Sequence, residues 1–300
     1  MATSAIQSLY REALTRLLDS NFDDAELTVL FVIQHVFKQS YASLIATDII
    51  VSKDQRDDVF SILGDCLKGI PLAYVIGTSE FNGSLYMVKP GVLIPRPETE
   101  ELVHYSTQII DWLYAKSILP VVLECGVGTG VISIELCKRF GSLSFYGWDI
   151  SSVAVENALQ NCNLHGVENL SINHGDFFEH ASDQMDHAVP HVLVSNPPYI
   201  SEDAFAQLDP HVKREPKTAL VADESGTFII SRLIDFSIQN NVILICEMGY
   251  DQRAFFESKY YEHSLFFISD LSGKDRFLIF FPPSYLLDNT IKTSLNQPSV

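Results

Sequence analysis

A chain of 300 residues with 47% hydrophobic and 19% charged residues can bury a large core and is long enough for two domains, which excludes global disorder. Its formal charge of −18 disfavours a free nucleic acid substrate, because phosphate binding draws on clustered Lys and Arg, and the densest basic stretches are the pairs Lys138-Arg139 and Lys213-Arg214. Cys66, Cys125, Cys137, Cys162 and Cys246 show neither C-x-x-C nor zinc spacing, so no metal is expected and a reducing, cytoplasmic setting is.

The first element is helical: Ile6, Leu9, Tyr10, Ala13, Leu14, Leu17 and Leu18 recur at three- and four-residue steps. No signal peptide is read in this region. Asp23 with Glu26 resembles a capping box before Leu27, Leu30 and Phe31, and Ser52 with Gln55 repeats it before Val59, Phe60, Ile62 and Leu63. The apolar run 27–37 contains Thr28, Gln34 and His35 and is too short to span a bilayer, so no membrane association is expected. Gly69 and Pro71 end a helical bundle, which reads as a scaffold or docking domain over residues 1–72.

Over 73–95 the period shifts toward two, and Asn82-Gly83 between Glu80-Phe81 and Leu85-Tyr86-Met87-Val88 predicts a β-hairpin linker. Pro95-Arg96-Pro97-Glu98-Thr99-Glu100 then leads into a helix with acidic residues in its first turn. Beyond it, strands are expected at 121–125, 144–148, 170–173, 191–194 and 242–246, separated by helix-length segments, with two late strands at 266–269 and 277–281. This is a doubly wound α/β pattern, a seven-stranded Rossmann-like domain over 96–283. The polar tail, 284–300, is expected to be loosely ordered.

The first of these strands runs into Glu124-Cys125-Gly126-Val127-Gly128-Thr129-Gly130 and then an apolar helix. Glycines there let backbone amides approach a ligand, and the helix start favours a negative group. The spacing departs from the dinucleotide G-x-G-x-x-G and suits S-adenosylmethionine, with Glu124, Gly126, Val127, Gly128, Thr129 and Gly130 as candidate cofactor residues. Asp149 ends the next strand, nineteen residues past Gly130, where a carboxylate can accept both ribose hydroxyls or cap the following helix, a role open to Ser151 as well. Asp176-Phe177 either flanks the adenine or forms a simple turn.

Asn196-Pro197-Pro198-Tyr199 follows the fourth strand; by average residue usage such a tetrapeptide arises by chance in about one 300-residue chain per thousand. In a doubly wound sheet the first and fourth strands are neighbours, which brings Asn196 over the glycine loop. An amide or exocyclic aromatic NH2 is a weak nucleophile because its lone pair is delocalised. The Asn196 side-chain oxygen and the Pro197 carbonyl can hold both its protons, stabilise the positive charge developing on nitrogen and aim the lone pair at a methyl group. Tyr199 offers a flat face to a planar group. Asn196, Pro197 and Tyr199 are the candidate catalytic residues, with Pro198 added for substrate contact. A retained but silent fold serving as an interaction protein is the blander possibility.

These residues resemble the class-1 release factor glutamine methyltransferases (HemK/PrmC type). The resemblance covers nearly the whole chain. It includes Gly69-Ile70-Pro71-Leu72-Ala73-Tyr74, Leu93-Ile94-Pro95-Arg96-Pro97-Glu98-Thr99-Glu100, the glycine loop, Asn196 to Ile200, Glu215-Pro216, Glu247 with Gly249 and Gln252, and the stretch from Asp270 to Arg276. Asn-Pro-Pro-Tyr alone is shared with enzymes methylating adenine or cytosine amino groups in nucleic acid, and Pro-Arg-Pro-Glu-Thr-Glu separates the chain from the relatives that methylate a ribosomal-protein glutamine. The resemblance implies a helical domain, a hairpin linker and a methyltransferase domain, S-adenosylmethionine as methyl donor, and the Gly-Gly-Gln glutamine of a class-1 release factor as acceptor. By matching position, Gly126, Gly128 and Gly130 would line the cofactor loop, Asp149 would hold the ribose, Phe177 would sit by the adenine and Asn196 to Tyr199 would grip the glutamine amide. A monomer without direct nucleic acid contact is expected. Two departures stand out: no Gly-Gly turn precedes the fifth strand, and the polar tail is atypical.

Overall fold

The structure, a computed structural model, describes residues 5–47, 49–185, 190–285 and 287–295. It divides into two compact units, Met1–Thr78 with Asp209–Arg214, and Ser79–Leu208 with Glu215–Val300.

The first unit contains α1 (Ala5–Leu18), α2 (Ala25–Phe37), α3 (Tyr41–Ala46), α4 (Lys53–Leu67) and α5 (Leu72–Ile76). The α1 stripe Ile6, Leu9, Ala13 and Leu17 packs in one core with Val29, Val32 and Ile33 of α2 and Val59 and Leu63 of α4. Short helices are marginal alone and persist through this shared apolar face. Ser52 and Gln55 form the expected reciprocal cap, each backbone N–H donating to the other's side chain at 3.1 Å. The box expected at Asp23 and Glu26 is absent. Asp24 precedes α2 in left-handed conformation (φ 52°) and makes no side-chain cap bond, whereas a capping side chain reaches the helix amides from extended backbone. The remote piece Asp209–Arg214 belongs to this unit, with His211 edge-on to Phe22 at 5.4 Å.

β1 (Thr78–Phe81), whose residues from Ser79 onward belong to the second unit, and β2 (Ser84–Met87) pair across Asn82 and Gly83, both left-handed at φ 50° and 70°, as the hairpin signal requires. Helix α6 (Pro97–Ala115) opens on Pro97, whose missing N–H is harmless in a first turn, with Glu98 and Glu100 beside the positive helix end.

Seven further strands among the described residues form one sheet: β3 (Val121–Cys125), β4 (Phe145–Asp149), β5 (Leu170–His174), β6 (Pro190–Ser195), β7 (Ile243–Glu247), β8 (Leu265–Ser269) and β9 (Asp275–Phe280). Their order is β5-β4-β3-β6-β7-β9-β8, parallel except that β9 runs antiparallel to both neighbours. The connecting helices are α7 (Val131–Arg139), α8 (Ser152–His165), α9 (Phe177–Met185), α10 (Glu202–Gln207), α11 (Lys217–Leu220), α12 (Phe228–Asn240) and α13 (Arg253–Lys259). Alternate strand residues feed opposite faces: Val122, Val194, Ile243 and Ile245 enter one core cluster, Leu123, Leu193, Leu244 and Cys246 the other.

The two departures from the family pattern each have a structural counterpart. In place of a Gly-Gly turn before β7, Asn241 takes the left-handed position at φ 57° and closes α12, a role asparagine fills at modest strain. The tail is also not loosely ordered throughout: α14 (Asn289–Leu295) buries Ile291 and Leu295 in the core cluster that includes α6. Two apolar residues four apart supply a packing face that the polar composition hides. Residues 296–300 of that tail lie outside the described residues.

Candidate active site

The glycine loop leaves β3 as three left-handed glycines, with φ 78° at Gly126, 58° at Gly128 and 84° at Gly130. A Cβ on Gly126 or Gly128 would meet no atom within 4 Å, so both face open space. Gly130 differs: a Cβ there would lie 3.0 Å from Ile134 Cδ1 and 3.2 Å from Ala158 Cβ, so its role is close helix packing. Gly128 N donates to Asp149 Oδ2 and Ser151 N to Asp149 Oδ1, each at 2.9 Å. Ser151 itself caps α8, accepting from Ala154 N at 3.3 Å. The cap is therefore filled by Ser151, and Asp149 retains roughly half of a carboxylate's four or so lone-pair sites. Burial raises its carboxyl above the usual range, opposed by the two amides.

Glu124 sits deeper, 1% exposed, and is not among the cavity-lining residues. One carboxyl oxygen accepts from Ser133 N at 3.2 Å and from the Ser133 hydroxyl, serving the start of α7, while Oε1 is buried without a partner among the described residues. Burial pushes its pKa to about 8. The fold thus favours the neutral acid. That contribution is complete below the unfolded value near 4.3 and is lost as pH rises through about 8. The stability gained by Glu124→Gln should grow between those limits and level off above them in thermal melts; a pH-independent difference would contradict this.

β3 and β6 run parallel as neighbours, and the Ser195 hydroxyl donates to the Cys125 carbonyl at 2.6 Å, joining their carboxyl ends. The turn 196–199 therefore emerges beside the glycine loop. Gly126, Gly128, Asp149, Asp176, Phe177, Asn196 and Pro198 line one cavity, joined by Gly91, Val92 and Leu93 from the stretch after the hairpin.

Behind the turn lies a chain of bonds. Asn196 Nδ2 donates to Thr99 Oγ1 at 2.9 Å, Thr99 Oγ1 to Glu247 Oε2 at 2.9 Å, and the Tyr199 hydroxyl to Glu247 Oε1 at 2.7 Å. Among the described residues, none donates to Asn196 Oδ1. Gln252 Nε2 holds the Tyr199 carbonyl at 2.9 Å, and Gln252 Oε1 accepts from Gly249 N at 2.9 Å. Glu215 ties the proline-rich stretch down by accepting from Ile94 N at 3.0 Å and pairing with Arg96.

A family profile described as a methyltransferase domain matches residues 122–214. The release factor glutamine methyltransferase of Aliivibrio fischeri is 30% identical over 290 residues, covering 91% of this chain and 95% of its own. That of Nitratidesulfovibrio vulgaris is 30% identical with 92% and 94% covered, and that of Aquifex aeolicus 34% identical with 71% and 75% covered. The chain belongs to the release factor glutamine methyltransferase family. It is a methyltransferase. Among solved structures, the hMettl16 catalytic domain in complex with a MAT2A 3'UTR hairpin superimposes with a TM-score of 0.53 at 11% identity, covering 80% of this chain and 94% of that one, which establishes shared fold.

In this family member the cavity gathers some of the expected residues and leaves others outside it. Val127, Thr129 and Gly130 shape the loop without lining the cavity, and Pro197 is buried. Phe177 touches the cavity yet is 2% exposed, its ring edge-on to Trp148 and Phe236. Its neighbour Phe178 lines the same wall and carries the Arg232 guanidinium 3.8 Å from its ring centroid. Tyr199 is not a lining residue; its hydroxyl is committed to Glu247. Cys125 is partly exposed and lines the cavity as well. Thr99 and Glu247 stand in the matched family stretches, but only the fold places them behind Asn196. Among the described residues, no cluster of three His, Cys, Asp or Glu side chains is arranged to hold a metal, and no helix is long and apolar enough to cross a membrane.

Proposed function

We propose that the chain transfers a methyl group from S-adenosylmethionine to the side-chain amide nitrogen of the glutamine in the Gly-Gly-Gln loop of class-1 release factors, acting as a cytoplasmic monomer whose helical unit contacts the protein substrate. The observation that carries this reading is the anchored Asn196 amide, whose NH2 is occupied by Thr99 and whose Oδ1 is left as an acceptor at a cavity shared with the glycine loop.

The cavity fits the cofactor. The open space over Gly126 and Gly128 leaves room for backbone approach by its amino-acid portion, and Asp149 has carboxylate lone pairs for two ribose hydroxyls. When bound, S-adenosylmethionine supplies an electrophilic methyl carbon on a sulfonium. Asn196 Oδ1 and the Pro197 carbonyl oxygen accept hydrogen bonds from the two N–H groups of the glutamine amide, which orients its nitrogen toward the methyl carbon and stabilises positive charge developing there. One proton then passes to water, so no strong base is required. The fixed φ of Pro197 and Pro198 limits motion of the two acceptors.

Labelled S-adenosylmethionine incubated with the enzyme and purified release factor should place the label on the Gly-Gly-Gln glutamine, with DNA, rRNA and ribosomal protein unlabelled. Label on a base or on a ribosomal-protein glutamine would replace this reading. Asp149→Ala should weaken S-adenosylhomocysteine binding by about 10- to 100-fold in calorimetry, the scale of hydrogen bonds to a charged group. Unchanged affinity would remove Asp149 from the ribose.

A further inference from the structure

We propose that Thr99 and Glu247 form a hydrogen-bond relay that sets which end of the Asn196 amide faces the acceptor, making both of them positioning residues for the turn. This rests on the proposed function and adds to it the control of one side chain's polarity.

The number of protons available fixes the order of donors and acceptors. A threonine hydroxyl has one proton to give and lone pairs to accept with, and an ionised carboxylate can only accept. Glu247 is 1% exposed, and its two oxygens receive the Thr99 and Tyr199 hydroxyls. Thr99, 2% exposed, has thereby spent its proton and can only accept from Asn196. The Asn196 NH2 must then face Thr99, and its carbonyl oxygen must face the cavity. A protonated Glu247 breaks that order: if it donates to Thr99, the Thr99 proton turns to Asn196, the amide flips, and an NH2 confronts the NH2 of the substrate. An asparagine side chain oriented by its flanking backbone alone could not enforce this choice.

The groups around Glu247 make the relay sensitive to pH. Burial is the largest influence, raising its carboxyl above the ordinary range; Arg276 of β9 favours the carboxylate, and Glu98 of α6 opposes it. Tyr199 stays protonated, its hydroxyl pushed up by burial and by the Glu247 charge, and so remains a donor. Arg276 is shared with Asp270, at 3.2 Å. As pH falls through the raised value of Glu247, the ordered polarity is lost and kcat should fall on the acid limb.

The test uses the full chain with labelled S-adenosylmethionine and release factor, with S-adenosylhomocysteine affinity and thermal midpoint measured beside kcat. Thr99→Val should lower kcat on the order of tenfold or more with cofactor affinity nearly unchanged, and Thr99→Ser should restore most of it. Glu247→Gln should lower kcat and erase the acid limb. Thr99→Val at wild-type kcat, or an equal loss of kcat and cofactor affinity, overturns the relay. A substrate-free readout separates it from the function itself: in the 15N-labelled protein the Asn196 side-chain NH2 signals should move in Thr99→Val and Glu247→Gln. If the wild type leaves release factor unmethylated, the proposed function fails while these signals still decide the relay, moved signals supporting it and unmoved ones ending it.

Discussion

Asn196→Ala should lower kcat by about 10²–10³ while cofactor affinity is largely spared. The magnitude is that of removing one preorganised polar group aimed at charge that develops only in the transition state. The Asn196 amide reaches the cavity from a turn clamped by Thr99 on one side and by the Tyr199–Glu247 and Gln252–Tyr199 bonds on the other. Its position is therefore set before substrate arrives, and little reorganisation is needed at the moment of reaction. Truncation leaves that scaffold standing, since the Thr99–Glu247 bond does not depend on Asn196. Single-turnover kinetics with release factor and calorimetry with S-adenosylhomocysteine separate the two effects. Loss of cofactor affinity as severe as the loss of rate would assign Asn196 to holding the pocket together.

Gly226→Ala should destabilise the protein by about 2–5 kcal/mol, combining left-handed strain with overpacking, and should disable the turn. Gly226 has φ 86°, and a Cβ there would lie 2.1 Å from the Tyr199 carbonyl oxygen and 2.9 Å from Gln252 Nε2. Backbone cannot yield as a flexible side chain would, so either residue 226 moves or the Tyr199 carbonyl leaves Gln252. Thermal unfolding checks the first consequence, and turnover per folded molecule the second. A variant that melts with the wild type and turns over normally would show that the approach at Gly226 relaxes without cost.

The parts of the fold legible in the sequence are those governed by local rules. Ser52 with Gln55, Asn82-Gly83 and Pro97 each act within a few residues, and each does what its chemistry dictates. Sheet topology extends this reach, because the parallel pairing of β3 and β6 follows from the alternation of strands and helices and carries Asn196 to the glycine loop. Local rules also mislead where neighbouring residues compete for the same position. Asp23 and Glu26 look like a cap, but left-handed Asp24 intervenes. Glu124 shows another limit. Its place in the glycine motif suggests a ligand, whereas its depth turns it to Ser133. The clamp on Asn196 was out of reach for a different reason. Thr99 lies 97 residues before Asn196, and Glu247 lies 148 residues beyond Thr99, so no spacing rule connects them. The folding back of Asp209–Arg214 onto the helical unit is likewise a long-range event without a local signature.

The most direct measurement is a structure of the enzyme with S-adenosylhomocysteine and a Gly-Gly-Gln peptide. The expected result places the glutamine amide nitrogen about 3 Å from both Asn196 Oδ1 and the Pro197 carbonyl oxygen, with the cofactor sulfur on the opposite side of that nitrogen. A bound peptide whose glutamine bypasses the 196–199 turn, or a turn directed away from the sulfur, would contradict the account.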